Sequence, residues 1–199
     1  MVETFIKYHL ILSKNQYLSA RPAVSHGLHL REISPDYQAF QILLQRVGGP
    51  YGWDRRKEYF DRRHVSTLKK IFKAPETRLW LFKNAQDETI GFCVAARVED
   101  FPPNGSKKED TSQKPAVKTV EIYKVGLFPE YTGRQYGRYF LPAVFEELFR
   151  TNDNIYLNTR STNHAGVIPF YNGLGMHVFA QETLPNDLLP KQGHVKKAA

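Results

Sequence analysis

Residues 117–149 read VKTVEIYKVGLFPEYTGRQYGRYFLPAVFEELF, and this stretch decides the fold. Through Phe128 it is rich in apolar and β-branched residues, with Glu121 among its few polar ones, which predicts a central strand. From Gly137 onward, apolar residues recur at three- and four-residue spacings, as they do on the buried side of an amphipathic helix. The stretch therefore predicts a strand followed by a helix.

The connection between this strand and helix is a glycine-bearing turn over residues 129–137, PEYTGRQYG. Backbone N–H groups exposed in such a turn lie at the positive end of a helix dipole, where a phosphate binds well. The turn therefore predicts an anion-binding site, although an ordinary strand, turn and helix that binds nothing would show the same pattern.

Residues 127–141 resemble the acyl-CoA signature of the GNAT superfamily of N-acyltransferases, through L-x-P-x-Y-T-G-R-x-Y-G-x-x-x-L. Gln135 stands where the family usually has the middle glycine of the loop. A glutamine is tolerable there if its φ is negative, and its side-chain amide could donate to a phosphate oxygen. The resemblance thus implies a cofactor loop with one unusual residue.

A second stretch, residues 155–176, reads IYLNTRSTNHAGVIPFYNGLGM and predicts a strand, a polar turn and a helix. The helix is expected to end at Gly173 or Gly175, where a left-handed C-cap would lie. Its end, F-Y-N-G-L-G-M from Phe170, resembles the F-Y-x-x-L-G-F of the same superfamily. The two motifs occur in the order expected for one domain of this family.

The resemblance implies an α+β fold, an α/β/α sandwich whose mixed, mostly antiparallel sheet has about six or seven strands and about four flanking helices. A splay is implied between the fourth and fifth core strands. With 199 residues the chain is most simply a single domain over residues 1–199. Within it we expect an N-terminal strand and polar linker over residues 1–22, a mobile loop over 100–116, and a peripheral tail over 184–199.

The resemblance also implies an N-acetyltransferase that moves the acetyl group of acetyl-CoA, its co-substrate, to a primary amine of a small molecule or protein. The amine would attack directly in a ternary complex. The backbone of the fourth strand would pair with the pantetheine arm, at a bulge or splay near Gly126. The residues that the resemblance assigns to the cofactor are Val125, Gly126, Leu127, Thr132, Gly133, Arg134, Gln135, Tyr136, Gly137, Asn163 and Tyr171.

Two residues are candidates for the proton transfers of this reaction. The resemblance makes Tyr171 the acid that protonates the departing thiolate. Glu121 lies near the position of a glutamate base in the family and could take the amine proton directly or through water, or instead pair with an Arg or Lys on the sheet. Asn163 is expected to cap the second helix, and His164 to be a residue of its first turn or a relay base.

Outside the two motifs, residues 48–60 read GGPYGWDRRKEYF and interrupt a helix that is expected to begin at a capping Ser34. Aromatic and charged side chains alternate in this loop, as they do along many substrate clefts. We expect Tyr51, Trp53 and Arg55 to contact the acceptor. The alternative is that Trp53 only packs the loop onto the core.

Composition limits the location and the class of partner. No run of about 18 apolar residues and no signal peptide occur, so we expect a cytoplasmic protein without a membrane partner. The single cysteine, Cys93, fits a reducing compartment and a buried strand, and no histidine pair has the spacing of metal ligands, so no metal is expected.

The net charge of +8 is assigned mainly to solvated lysines. No nucleic-acid-binding signature accompanies this charge, so nucleic acid is not an expected partner. Because members of the superfamily are often dimers, a homodimer is compatible with the resemblance. One further class stays open: a GNAT fold that binds CoA weakly or not at all and acts as a binding or regulatory module, which Gln135 would favour.

Overall fold

The structure is a computed structural model that describes residues 3–19, 27–56, 61–97 and 117–186. These residues form seven strands and five α-helices around one central sheet. In chain order the elements are β1 (Thr4–Ser13), α1 (Lys14–Ser19), β2 (His29–Ile33), α2 (Tyr37–Gly48), α3 (Arg62–Lys73), β3 (Arg78–Lys83), β4 (Thr89–Arg97), β5 (Thr119–Leu127), α4 (Gly137–Leu148), β6 (Asn154–Arg160), α5 (Val167–Gly173) and β7 (His177–Pro185).

The strand order across the sheet is β2-β3-β4-β5-β6-β1-β7. All neighbours are antiparallel except β5 and β6, which run parallel and pair over residues 119–121 and 154–156 in the described part of the chain. Beyond Glu121 the two strands diverge. This is the expected splay between the fourth and fifth core strands, counted from β2, and the α+β class is confirmed.

Helices cover both sides of the sheet, as an α/β/α sandwich requires. On one side Phe140 of α4 stacks on Phe82 of β3, with ring centroids 4.3 Å apart. On the other side Phe40 of α2 contacts Phe72 of α3 at 4.7 Å. Each contact belongs to one of two separate buried clusters, which pack against the sheet.

The position of the N-terminal strand was not predicted from the sequence. Strand β1 lies between β6 and β7 and pairs with both. The expected polar linker contains the short helix α1, because Tyr17 is buried against α4, where its hydroxyl donates to the carbonyl of Pro142 at 3.0 Å. The sequence did not predict this helix, because a single buried aromatic residue without other apolar residues at helical spacing is not a helix pattern.

Smaller differences concern element ends. The side chain of Asp36, not the expected Ser34, caps α2 by accepting from the backbone N–H of Ala39 at 2.7 Å. Strand β7 extends to Pro185, so the expected tail begins inside a strand. The remainder of that tail and the expected mobile loop, residues 100–116, lie outside the described residues. No helix within the described ranges is long and apolar enough to cross a membrane.

Candidate functional site

A cavity of about 580 Å³ opens where β5 and β6 diverge. Its walls come from β5, the turn before α4, β6, α5 and the loop after α2. The two sequence motifs therefore meet in space at the splay, although about 30 residues separate them. A cleft between diverging strands is a common place for a ligand, because the backbone groups there are released from the sheet ladder.

Strand β5 carries a bulge at Tyr123, three residues before the position expected for it. The register of β4 shifts between Val94 and Ala95, which pair with Lys124 and Ile122 and leave Tyr123 as the extra residue. Beyond the bulge, Val125 packs on the α4 side of the sheet. A bulge re-aims the side chains that follow it, so it sets which residues of β5 face each side of the cavity.

Gly126 allows helix α2 to approach the sheet at the cavity. A Cβ on Gly126 would lie well inside van der Waals contact with the Cγ1 of Val47, at the end of α2. A Cβ on Gly91 of β4 would likewise stand 2.5 Å from the carbonyl oxygen of Gly126. The sequence did not predict that Val47 or Gly91 would lie against Gly126, because this close approach involves residues far apart in the chain.

The turn before α4 has the backbone shape of a glycine loop. Gly133 has φ 74° and Gln135 has φ 62°, so both are left-handed. The condition under which a glutamine would be tolerated here, a negative φ, is not met, because the backbone follows the path that a glycine would take despite the side chain. A side chain in this region costs about 1 kcal/mol or more.

Most of the residues assigned to the cofactor line this cavity. Arg134 is the exception: its guanidinium lies over the ring of Tyr131, 5.8 Å from the centroid, while Arg138 of α4 lines the wall. The assigned residues that do line the wall are Val125, Gly126, Leu127, Thr132, Gly133, Gln135, Tyr136, Gly137, Asn163 and Tyr171.

Tyr171 of α5 lies in the cavity wall and is largely buried. Burial, and secondarily the neighbouring Cys93, raise the pKa of the Tyr171 phenol. Burial also raises the pKa of the Cys93 thiol. Both groups therefore stay protonated near neutral pH, and the phenol is a hydrogen-bond donor at the wall. Helix α5 ends at Gly173 and is followed by left-handed Gly175, as expected.

Glu121 is not among the residues that line the cavity. Its Oε1 accepts a hydrogen bond at 3.0 Å from the Nδ2 of Asn158, which does line the cavity. Tyr156, the next polar residue back along β6, hydrogen bonds through its hydroxyl to His9 at 2.6 Å, and His9 contacts Glu182 at 2.7 Å. Asn158 therefore connects the Glu121 carboxylate to the cavity wall.

Asn163 joins the loop after α2 to the polar turn before α5. Its Oδ1 accepts from the Nε1 of Trp53 at 3.0 Å and from Arg56 at 3.4 Å, and its Nδ2 donates to Thr159 at 2.9 Å. The expectation that Asn163 caps α5 is wrong, since Gly166 occupies the N-cap without a side-chain bond.

Next to Asn163, the ring of His164 accepts a hydrogen bond from the backbone N–H of Gly166 at 3.0 Å, as a residue at the start of a helix does.

Of the predicted acceptor residues in the described loop, Tyr51 and Trp53 line the cavity and Arg55 does not. Arg56 lines it in place of Arg55. Trp53 also packs closely over Gly48, so this residue both packs the loop and lines the cavity.

Within the described ranges, no group of three or more His, Cys, Asp or Glu side chains is arranged as metal ligands would be.

The splayed sheet, the turn at the start of α4 and the tyrosine of α5 define the N-acyltransferase class that the sequence motifs resemble. The chain belongs to the acetyltransferase (GNAT) family, whose model matches residues 40–176. No curated protein matches the chain.

Solved structures share the fold at low sequence identity. A GCN5-related N-acetyltransferase from Sphaerobacter thermophilus is 18% identical with a TM-score of 0.59, and the match covers 89% of this chain and 50% of that one. A tandem GNAT protein from the clavulanic acid biosynthesis pathway is 16% identical, with a TM-score of 0.54 and coverage of 92% and 54%. The chain thus spans about half the length of these two proteins.

An aminoglycoside acetyltransferase from an uncultured soil metagenomic sample is 15% identical, with a TM-score of 0.52 and coverage of 82% of this chain and 98% of that one. At such identities the likeness establishes the fold of this chain and not its acceptor.

Proposed function

We propose that the protein transfers the acetyl group of acetyl-CoA to a primary amine by direct attack in a ternary complex. The observation that carries this proposal is the single cavity of about 580 Å³ that joins the turn before α4, the splayed part of β5, Tyr171 and the loop after α2. A thioester that enters from the turn and an amine that enters from the loop would meet in this one cavity. Holding two reactants in line supplies much of the rate of such a reaction.

The cofactor half of the proposal rests on the turn and on β5. Left-handed residues in the turn and the N-terminus of α4 present backbone N–H groups suited to the pyrophosphate. Beyond Glu121, β5 leaves its ladder with β6, so the edge over residues 125–127 is open to the amide groups of a pantetheine arm.

The chemistry needs two proton transfers. An alkylamine must lose a proton before it attacks, since its ordinary pKa is about 10.4. We assign this proton to Glu121 through water, because the carboxylate does not line the cavity and is hydrogen bonded to Asn158, which does. The Tyr171 phenol, kept protonated by burial, donates to the sulfur as the C–S bond breaks, and the second proton that the nitrogen loses as the amide forms restores the phenol. The products are an amide and free CoA.

Calorimetric titration with acetyl-CoA, followed by free-thiol release with a panel of amines, tests the proposal. Saturable binding in the micromolar range together with amine-dependent thiol release supports it. The absence of binding at millimolar acetyl-CoA would overturn it.

The second candidate is a binding or regulatory module without turnover. The left-handed Gln135 favours it, because its side chain projects from a turn that glycine would leave open. The absence of acetyl-CoA binding at millimolar concentration, or weak binding without thiol release from any amine, would support this candidate over the first.

A further inference from the structure

We infer that the acceptor carries an anionic group, a carboxylate or a phosphate, in addition to the amine that is acetylated. This inference rests on the proposed function and names the class of its acceptor. It follows from the sign and the placement of the charges around the cavity.

The charged side chains that line the cavity are all basic. Arg56, Lys124, Arg138 and Arg160 are in the wall, and none of the described lining residues is Asp or Glu. Glu121 does not line the cavity, and its carboxylate accepts a hydrogen bond from Asn158, which does; alternation between Val120 and Ile122 of the α4 cluster puts Glu121 on the α2 face, where basic side chains still outnumber it. Such a field attracts an anion and disfavours a ligand with several positive charges, such as an aminoglycoside.

The four cations divide between the two faces of the sheet. Arg138 is on α4 beside the turn, so it belongs to the cofactor end. Gly126 faces Val47 of α2, and Lys124, two residues earlier on the same strand beyond the bulge, shares that face. Arg138 is therefore placed to meet the cofactor phosphates, whereas Lys124 lies on the face of the sheet that carries α2.

Arg160 lies on the same face as Lys124. Leu157 packs in the α4 cluster, so alternation along β6 turns Asn158 and Arg160 toward the opposite face. The Arg160 guanidinium accordingly lies 4.5 Å from the ring centroid of Phe5, outside that cluster.

Arg56 completes this basic group from the loop after α2, where Trp53 and Tyr51 add aromatic surface. We call Arg56, Lys124 and Arg160 the acceptor cations. They come from three separate segments, so their convergence on one cavity is not the solvated face of a single helix or strand.

This arrangement orients the acceptor. An anionic group held by the acceptor cations on the α2 face leaves the amine to point through the splay toward the Tyr171 side. The neutral amine attacks the thioester carbon, the N–C bond forms and the C–S bond breaks. One amine proton leaves and one proton reaches the sulfur, so the anionic group is unchanged in the amide product.

Matched acceptors test this inference by free-thiol release at fixed acetyl-CoA. Amino acids are compared with their amides, phosphoethanolamine with ethanolamine, and an aminoglycoside serves as the polycation. We expect at least a tenfold higher kcat/KM for the anionic member of one pair, and which pair responds distinguishes carboxylate from phosphate. Equal or better turnover of the neutral members or the aminoglycoside would overturn the inference and leave acetyl transfer intact, whereas thiol release from no amine would overturn both.

Charge variants provide the second arm. Lys124→Gln should raise the KM of the preferred anionic acceptor at least tenfold and abolish its advantage over the neutral member, while the Kd of acetyl-CoA stays within twofold; Lys124→Arg should retain the preference. Arg138→Gln should do the reverse and weaken acetyl-CoA. Lys118→Gln, an exposed lysine outside the cavity, is the matched control and should change neither constant. A preference that survives Lys124→Gln and the same change at Arg56 and Arg160 would contradict the inference.

Discussion

The indole Nε1 of Trp53 donates a hydrogen bond to the Oδ1 of Asn163 at 3.0 Å, between residues 110 positions apart in the chain. This bond ties the loop after α2, which we propose contacts the acceptor, to the turn that precedes α5, the helix that carries Tyr171. It thereby links two walls of the cavity.

Trp53→Phe keeps an aromatic ring and removes the N–H donor. Because a partly buried hydrogen bond contributes about 1 kcal/mol, we expect kcat/KM for the acceptor to fall about fivefold to tenfold. The Kd of acetyl-CoA should stay within twofold. Trp80→Phe, the same change in the core away from the cavity, should lower stability without this selective loss. A parallel loss of acetyl-CoA affinity in Trp53→Phe would contradict the prediction.

Gln135→Gly should stabilise the protein, because glycine adopts a φ of 62° without the strain that a side chain brings to this conformation. The gain expected after the added entropy of an unfolded glycine is about 0.5–1 kcal/mol, or a rise in Tm of about 1–4 °C. Gln135→Ala retains the Cβ and should show no such rise.

The same variant tests the cofactor loop. We expect a few-fold lower Kd for acetyl-CoA in calorimetry, since the side chain no longer projects into the turn. A weaker binding of acetyl-CoA by Gln135→Gly would instead identify the glutamine amide as a phosphate ligand.

Gly126→Ala should destabilise the fold by about 1–3 kcal/mol, because its Cβ overlaps Val47. Val47→Ala alone should also destabilise, through loss of buried apolar contact. In urea unfolding, the free energy of unfolding of the double variant should fall by at least about 1 kcal/mol less than the summed losses of the two single variants. Gly173→Ala, where an added Cβ meets no atom within 4 Å, is the control and should be near neutral. Strict additivity would mean that α2 does not dock through this contact.

Tyr171→Phe should lower kcat about 100-fold and leave the Kd of acetyl-CoA within twofold, because the phenol is needed only as the sulfur becomes negative. Steady-state kinetics and calorimetry measure the two constants. Tyr139→Phe, a half-buried tyrosine of α4 outside the wall, should have no effect on kcat. Unchanged turnover in Tyr171→Phe would remove this residue as the proton donor.

Stability should fall at alkaline pH. Burial raises the pKa of Cys93, Tyr156 and Tyr171 above their ordinary values of 9.0, 10.0 and 10.0. Above about pH 9 the unfolded chain therefore releases these protons while the folded chain keeps them, so unfolding becomes more favourable as pH rises.

The free energy of unfolding should fall by up to about 1.4 kcal/mol per pH unit for each of these three groups. Urea unfolding from about pH 8 to about pH 11 measures the slope, and Tyr156→Phe should reduce it by the share of one group. A free energy of unfolding that stays constant through this range would show that these groups ionise equally in both states.

Local patterns predicted the parts of the site that lie within one short segment. The apolar runs of β5 and α4, the glycine-bearing turn between them and the helix ending near Gly173 are set by neighbouring residues, and each was expected within a few positions. The motifs also assigned Tyr171 to the same cavity as the turn, because their order is characteristic of the family.

By itself, then, the sequence determined the fold class, the splay and the segments that would surround the cavity. Only the tertiary structure decided that β1 lies between β6 and β7, that Asn158 lines the cavity while Glu121 does not, and that Arg56 rather than Arg55 reaches the wall. The physical reason is that strand pairing, a bulge at Tyr123 and the close approach of Val47 to Gly126 join residues distant in the chain. Such contacts are set by packing across the whole domain, and short-range propensity does not encode them.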